Sequence, residues 1–290
     1  MGYLNESLPT ENRLNQVGIN KMGDVMKIIE YNGYDDIYVK FMDGNNCIVH
    51  TQYINFLNGV VKNYNKITHG FKGYLGQGEY KSEHRENGKR VHHKSYSIWS
   101  GMHDRAGNFD GRHPSYKDVY VCDEWCNYQN FAKWYEERDI VNIKNDFMCI
   151  DKDLLHPSSR VYSPDTCCLI PNRINEIFKD YDNYSKNNHG LPIGVMFRNE
   201  KDRKSVGFKV IKRELNHKGA TIYTSKTFNN VPDAFKYYKM NKEKYIQDLA
   251  IYYKPILDDN VFKALMSYTE TTSVNIYDPK FNNIYYFKNN

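Results

Sequence analysis

LPIGVMFRNEKDRKSVGFKVIKRELNHKGATIYTSKTFNNVPDAFKYYKM, residues 191–240, is the stretch on which the reading of this chain turns. Its runs GVMF, VGFKVIKREL and ATIYTSKTF are rich in β-branched and aromatic residues, and the polar groups KDRK and NHKG between them are turn formers. A helix follows from about Pro232, with Asn230 as its candidate cap and proline in its first turn. Val231, Ala234, Phe235 and Tyr238 recur at helical spacing, and the same face continues through Tyr245, Ile246, Leu249 and Tyr253. The prediction is three strands backed by a helix, spanning 191–268.

Charge concentrates on the same stretch. Residues 194–218 hold eight Lys or Arg against three Asp or Glu, a net charge of +5, equal to that of the whole chain. The candidate contact residues are Arg198, Arg203, Lys204, Lys209, Lys212 and Arg213. A twisted sheet can enter the major groove of double-stranded DNA and offer alternate side chains to base edges. Arginine forks onto guanine or phosphate, whereas lysine acts as a mobile point charge. Strand alternation puts Lys209 and Ile211 on one side and Val210 and Lys212 on the other, so only one of the two lysines points at DNA if the other packs toward the helix. A solvated basic face accounts for the same charges.

Outside this stretch the chain reads as α+β and multi-domain. Its 290 residues have a mean hydropathy of −0.77, which favours several small units over one large core. The 26 Tyr and 14 Phe supply the apolar area. Residues 17–66 contain VMKII, IYVKF and NCIVHT, separated by NGYDD and DGNN, and predict a small β-barrel closed by a helical turn and a last strand within TQYINFLNGVV. The glycine-rich connector 70–90 fits a loop or a hairpin. Residues 92–178 predict a helix in SYSIWSGMHDR, a second in WCNYQNFAKWYEE, then a strand, a loop, a turn and a short helix from about Asn172. The last residues, SVNIYDPKFNNIYYFKNN, predict a strand and a tail. The polar start and the lack of a long apolar run predict no leader and no membrane span. Six cysteines without that leader point to free thiols in a reducing, cytoplasmic (host-cell) setting.

The pattern Gly194-Val195, the basic strand 208–212, Thr227-Phe228 and Asp233-Ala234-Phe235 resembles the APETALA2-type DNA-binding domain in its bacterial and phage versions, over roughly 65 residues. That resemblance implies a sheet that reads a DNA groove with the helix packed behind. A second ordered series runs through the middle of the chain: Tyr96, Trp99, Met102 and Arg105; Val121-Cys122 and Trp125; Asp151-Lys152-Asp153; Tyr162, Pro164 and Cys167. It resembles a degenerate HNH-type phage protein, of homing-endonuclease kind, that often precedes the first domain. The resemblance implies a ββα-metal unit in which Asp151, with Asn175 on the short helix, would hold a divalent ion, Mg or Mn, and a base would activate water. The base should follow Asp151 directly, where this chain has Lys152, a poor base at neutral pH. His156 substitutes only if its loop folds back. Asp151 and Asp153 alternatively pin a turn or pair with Arg160.

Cys122-x3-Cys126, completed by Cys149 and Cys167, has the spacing of a zinc site and equally that of packed thiols. Tyr74, Tyr80 and Tyr96 beside Lys81 could stack on bases, or simply fill core and surface. Three functions follow: DNA binding with metal-dependent cleavage, DNA binding as a non-catalytic regulator, and a phage interaction or anti-defence factor that binds a protein.

Overall fold

The computed structural model describes residues 13–70, 72–107, 116–138, 147–184, 190–198, 207–272 and 274–279. It is a mixed α+β structure in two compact units. Residues Met1–Glu137 and Arg160–Ser163 form the first, and Arg138–Ser159 and Pro164–Asn290 the second. The segment 92–178 is shared between them.

The first unit opens with an antiparallel meander of β1 (Val17–Ile19), β2 (Val25–Gly33), β3 (Asp36–Phe41) and β4 (Ile48–Thr51), paired in that order. Met26, Ile28, Ile37, Val39 and Phe41 lie on one face by strand alternation and are buried against Tyr53 and Phe56 of α1 (Tyr53–Leu57). Gly18 belongs to that face, where a β-carbon would come within 2.8 Å of the Phe56 ring. The expected barrel does not form: the sheet is open, with β1 and β4 as its edges. The expected last strand at Val60-Val61 is irregular chain, and it meets the end of β1 through Lys21 N donating to Gly59 O (2.7 Å) and Asn20 Nδ2 donating to Val61 O (3.1 Å). Gly59 has φ +62°, which breaks an extended run there, and β1 is too short to carry a closing ladder.

The connector resolves into β5 (Ile67–His69) pairing with β6 (Gly73–Tyr74), and a hairpin of β7 (Glu83–Glu86) and β8 (Lys89–His92). Asn87 and Gly88 make the hairpin turn, both with positive φ, as an Asn-Gly turn requires. Then come α2 (Lys94–Gly107), β9 (Tyr120–Val121), α3 (Asp123–Cys126) and α4 (Tyr128–Glu136). Trp99, Met102, Trp125, Tyr128, Phe131 and Tyr135 make an aromatic core, and Trp99 Nε1 donates to Trp125 O (2.7 Å). The helix expected through WCNYQNFAKWYEE is broken at Asn127, whose extended backbone ends α3 and whose side chain accepts from Gln129 N to cap α4.

From Arg138 the chain runs in the second unit, forms β10 (Met148–Asp151), re-enters the first to pair β11 (Val161–Tyr162) in parallel with β9, and leaves again to form β12 (Cys168–Pro171) and α5 (Asn172–Tyr184). β10 and β12 are antiparallel, with Asp151 opposite Cys168, so β10, β12 and α5 form a ββα unit. β13 (Val195–Phe197), β14 (Phe208–Leu215) and β15 (Thr221–Phe228) make a three-stranded antiparallel sheet in that order. Asn216 Oδ1 accepts from Lys218 N and Ala220 N in the tight turn between β14 and β15; the KDRK turn lies outside the described residues. α6 (Val231–Tyr253) starts at Asn230, whose Oδ1 accepts from Asp233 N (2.8 Å). Val195, Phe208, Val210, Val231, Ala234 and Phe235 form the core between sheet and helix. A 3-10 turn and α7 (Asp259–Met266) follow. Residues 274–279 form turns, and the rest of the segment expected as a strand and a tail lies outside the described residues. Among the described residues, no helix is long and apolar enough to cross a membrane.

Candidate nucleic-acid interface

Strand register sorts the basic candidates. Phe208, Val210 and Lys212 share one face of β14, opposite Phe228, Lys226 and Thr224 of β15. Lys209, Ile211 and Arg213 share the other, opposite Thr227, Ser225 and Tyr223. Phe208 and Val210 are buried with Val231, Ala234 and Phe235 at the start of α6, and Lys212 shares their face; Ile211 and Arg213 of the other face line a cavity with Tyr238, Asn241 and Tyr245 further along α6. Lys212 Nζ sits 2.5 Å from Glu214 Oε1, and that carboxylate raises the lysine above its usual value. Arg198 is exposed just after β13, and its N–H donates to Gly207 O. Arg203 and Lys204 lie outside the described residues. The four described cations are therefore not gathered on one flat face.

What the sequence reading passed over is β15. A strand packed on one side alternates between buried and exposed, yet every residue of β15 from 222 to 227 is exposed. This edge strand carries Tyr223, Thr224, Ser225, Lys226 and Thr227, which offer hydroxyls and a cation. Lys226 Nζ lies over the rings of Phe228 and Tyr237, at 5.4 and 5.1 Å from their centroids. The signal in the sequence was TIYTSKTF itself, a strand with no strongly apolar alternate set.

The ββα unit gathers the other candidates. Asp151 ends β10, and its Oδ1 accepts from Asp153 N (2.9 Å) and Leu154 N (2.7 Å). Burial pushes the carboxyl upward from its ordinary value, against those two hydrogen bonds. Lys152 donates to Asp153 and to Ser159 O. His156 is exposed in the following loop, and Asn175 is half-buried on α5. Arg160 donates instead to Lys117 O (2.6 Å), within the first unit.

Magnesium and manganese take oxygen ligands at strict octahedral geometry. Here the neighbouring groups fit such an ion poorly. Asp151 brings one carboxylate, already engaged by two amides, and the next side chain brings an ammonium. Among the described residues, no three His, Cys, Asp or Glu side chains are grouped to hold a metal ion. All six cysteines are free thiols. Cys122 stands at the N-cap position of α3 without a side-chain cap bond, and Cys126 Sγ donates to its carbonyl (3.4 Å). Cys149 Sγ donates to Asn172 Oδ1 (3.4 Å).

Of the tyrosines expected to stack, Tyr96 is packed edge-on against His69 and Tyr128, in the aromatic core. No family model, curated protein or solved structure matches the chain.

Proposed function

We propose that the chain binds double-stranded DNA, with the β14–β15 ribbon as the element that enters a groove. The observation that carries this reading is the uncovered β15 strand, a run of hydroxyl and cationic side chains beside Lys209, Lys212 and Arg213. A two-stranded ribbon fits the major groove, where such side chains reach both phosphates and base edges. The phage-type resemblance of the same stretch points the same way.

Binding should be electrostatic in large part. Fluorescence anisotropy with labelled duplex across a salt series should give a log–log slope of about −0.9 per phosphate contact. Lys226→Ala should lower that slope by about one. An affinity that ignores salt would sink the reading.

Binding without cleavage is the form we favour. Asp151 holds the turn that follows β10, and Lys152, where the base should stand, is an ion-paired donor. Supercoiled plasmid incubated with Mg or Mn, alongside Asp151→Ala, tests this. Nicking that disappears in the variant would instead make the ββα unit a nuclease.

A further inference from the structure

The β7–β8 hairpin belongs to the first unit and to no larger sheet. Residues 84–90 are all exposed. Its root, in contrast, is fixed. Tyr128 Oη, in the aromatic core, donates to Lys81 O (3.0 Å) and is bonded to Ser95 Oγ (3.1 Å), so one buried ring ties the chain on both sides of the ribbon. Tyr80 N donates to Gln129 Oε1 (3.0 Å), and His93 N to Ser82 O (3.0 Å).

The register decides what the ribbon presents. Arg85 and Arg90 stand directly opposite each other and share one face. Like charges so placed destabilise a strand pair, and a lone two-stranded hairpin is marginal in water. Nothing nearby offsets the cost. Arg90 Nε lies 3.7 Å from Glu83 Oε1, an exposed pair of little worth. Among the described residues, Arg85 has no ion-pair partner. Residues 81–94 hold five Lys or Arg against two Glu, so the surroundings add to the positive field. An anion set between the two guanidiniums would turn their repulsion into two charge-assisted attractions. A phosphate suits the place, because its oxygens match the planar fork of each arginine.

We propose that the β7–β8 hairpin is a second DNA-binding element, in which Arg85 and Arg90 grip a phosphate of the duplex backbone. The proposal rests on the DNA-binding reading above and adds a contact made by the first unit. Such a contact positions the duplex and carries no sequence information of its own. The tied root keeps the ordering cost of binding low.

The experiment uses the full chain, labelled duplexes of two unrelated sequences, and anisotropy across a salt series. Arg85→Gln combined with Arg90→Gln should make the log–log slope shallower by about two, so that between about 50 and 200 mM salt the variant loses about tenfold less affinity than the parent chain. Both sequences should weaken alike. Arg85→Lys combined with Arg90→Lys keeps the charges and should keep the slope. The Gln pair relieves the cross-strand repulsion, so its Tm should not fall, which separates a lost contact from a lost fold; a lower Tm would overturn the argument from repulsion. An unchanged slope in the Gln pair, beside a slope made shallower by Lys226→Ala, overturns the hairpin contact and leaves the DNA reading standing. A slope altered by the Gln pair and untouched by Lys226→Ala keeps the hairpin as a DNA contact and removes the β15 ribbon. A chain that binds neither duplex overturns both.

Discussion

Glu270→Gln is the substitution whose cost follows most directly from the structure. Glu270 is 1% exposed and Lys242 8%, and the carboxylate and ammonium are 2.5 Å apart. Tyr268 Oη donates to the same carboxylate oxygen (2.9 Å), Glu270 N donates to Glu243 Oε1 (2.8 Å), and Lys239 donates to Glu270 O. The amide keeps the shape but leaves a buried ammonium without its counter-charge. Breaking a buried pair from one side costs about 3–5 kcal/mol. For a chain of this size each kcal/mol moves the Tm by about 2–4 °C, so the transition should fall by about 6–20 °C. Far-UV circular dichroism is the appropriate probe, because Trp99, Trp125 and Trp134 all lie in the first unit and their fluorescence reports on that unit. Replacing both partners, Lys242→Met with Glu270→Leu, should recover most of the loss, since an apolar pair of similar volume is often neutral. A loss under about 1 kcal/mol for Glu270→Gln, or a double variant as damaged as the single, would refute the reasoning.

Three further outcomes are expected. Burial pushes His103 down to about 4, from an ordinary value of 6.5. Between those pH values the unfolded chain binds more protons, so stability should decline as the pH falls from about 6.5 toward 4, by up to about 3 kcal/mol; urea midpoints followed by tryptophan fluorescence should show the slope, and His103→Gln should flatten it. Gly194 has φ +76°, and a β-carbon there would lie 2.1 Å from the Tyr238 ring, whereas Gly190, at φ +77°, faces open space. Gly190→Ala should therefore cost only the left-handed strain of about 1–2 kcal/mol, and Gly194→Ala clearly more; equal Tm losses would contradict this. Asn230→Ala removes the α6 cap and should cost about 1 kcal/mol, read as a lower urea midpoint in circular dichroism.

The C-terminal sheet and helix were legible because their determinants are local. Asn230 and Pro232 mark the helix start, whereas each face of β14 pairs a lysine with an apolar residue, Lys209 with Ile211 and Lys212 with Val210, which leaves open from sequence which face turns inward. Barrel closure was not legible. Alternation in 25–51 yields strands, but whether β1 finds a partner depends on a remote segment, and Gly59 turns that segment aside. Asn127 was a visible cap signal that the continuous apolar spacing of Trp125, Tyr128 and Phe131 outweighed. Asp151 offered two readings from the sequence, and the two amides that converge on its Oδ1 give it the turn. The cavity beside Ile211 and Arg213 draws its lining from β13, β14, β15, α5 and α6, so no local pattern could announce it.

The route of the chain between the two units bears on how the protein can be dissected. It crosses at Glu137–Arg138, at Ser159–Arg160 and at Ser163–Pro164. The short β11 excursion belongs to one unit, while the β10 and β12 strands on either side of it belong to the other. A gene fragment that starts at Pro164 would encode β12 without β10, and one that stops at Glu137 would encode β9 without β11. No single cut yields both modules whole. Transplanting the C-terminal module into another protein would require a circularly rearranged or bridged design, with residues 160–163 replaced by a short linker.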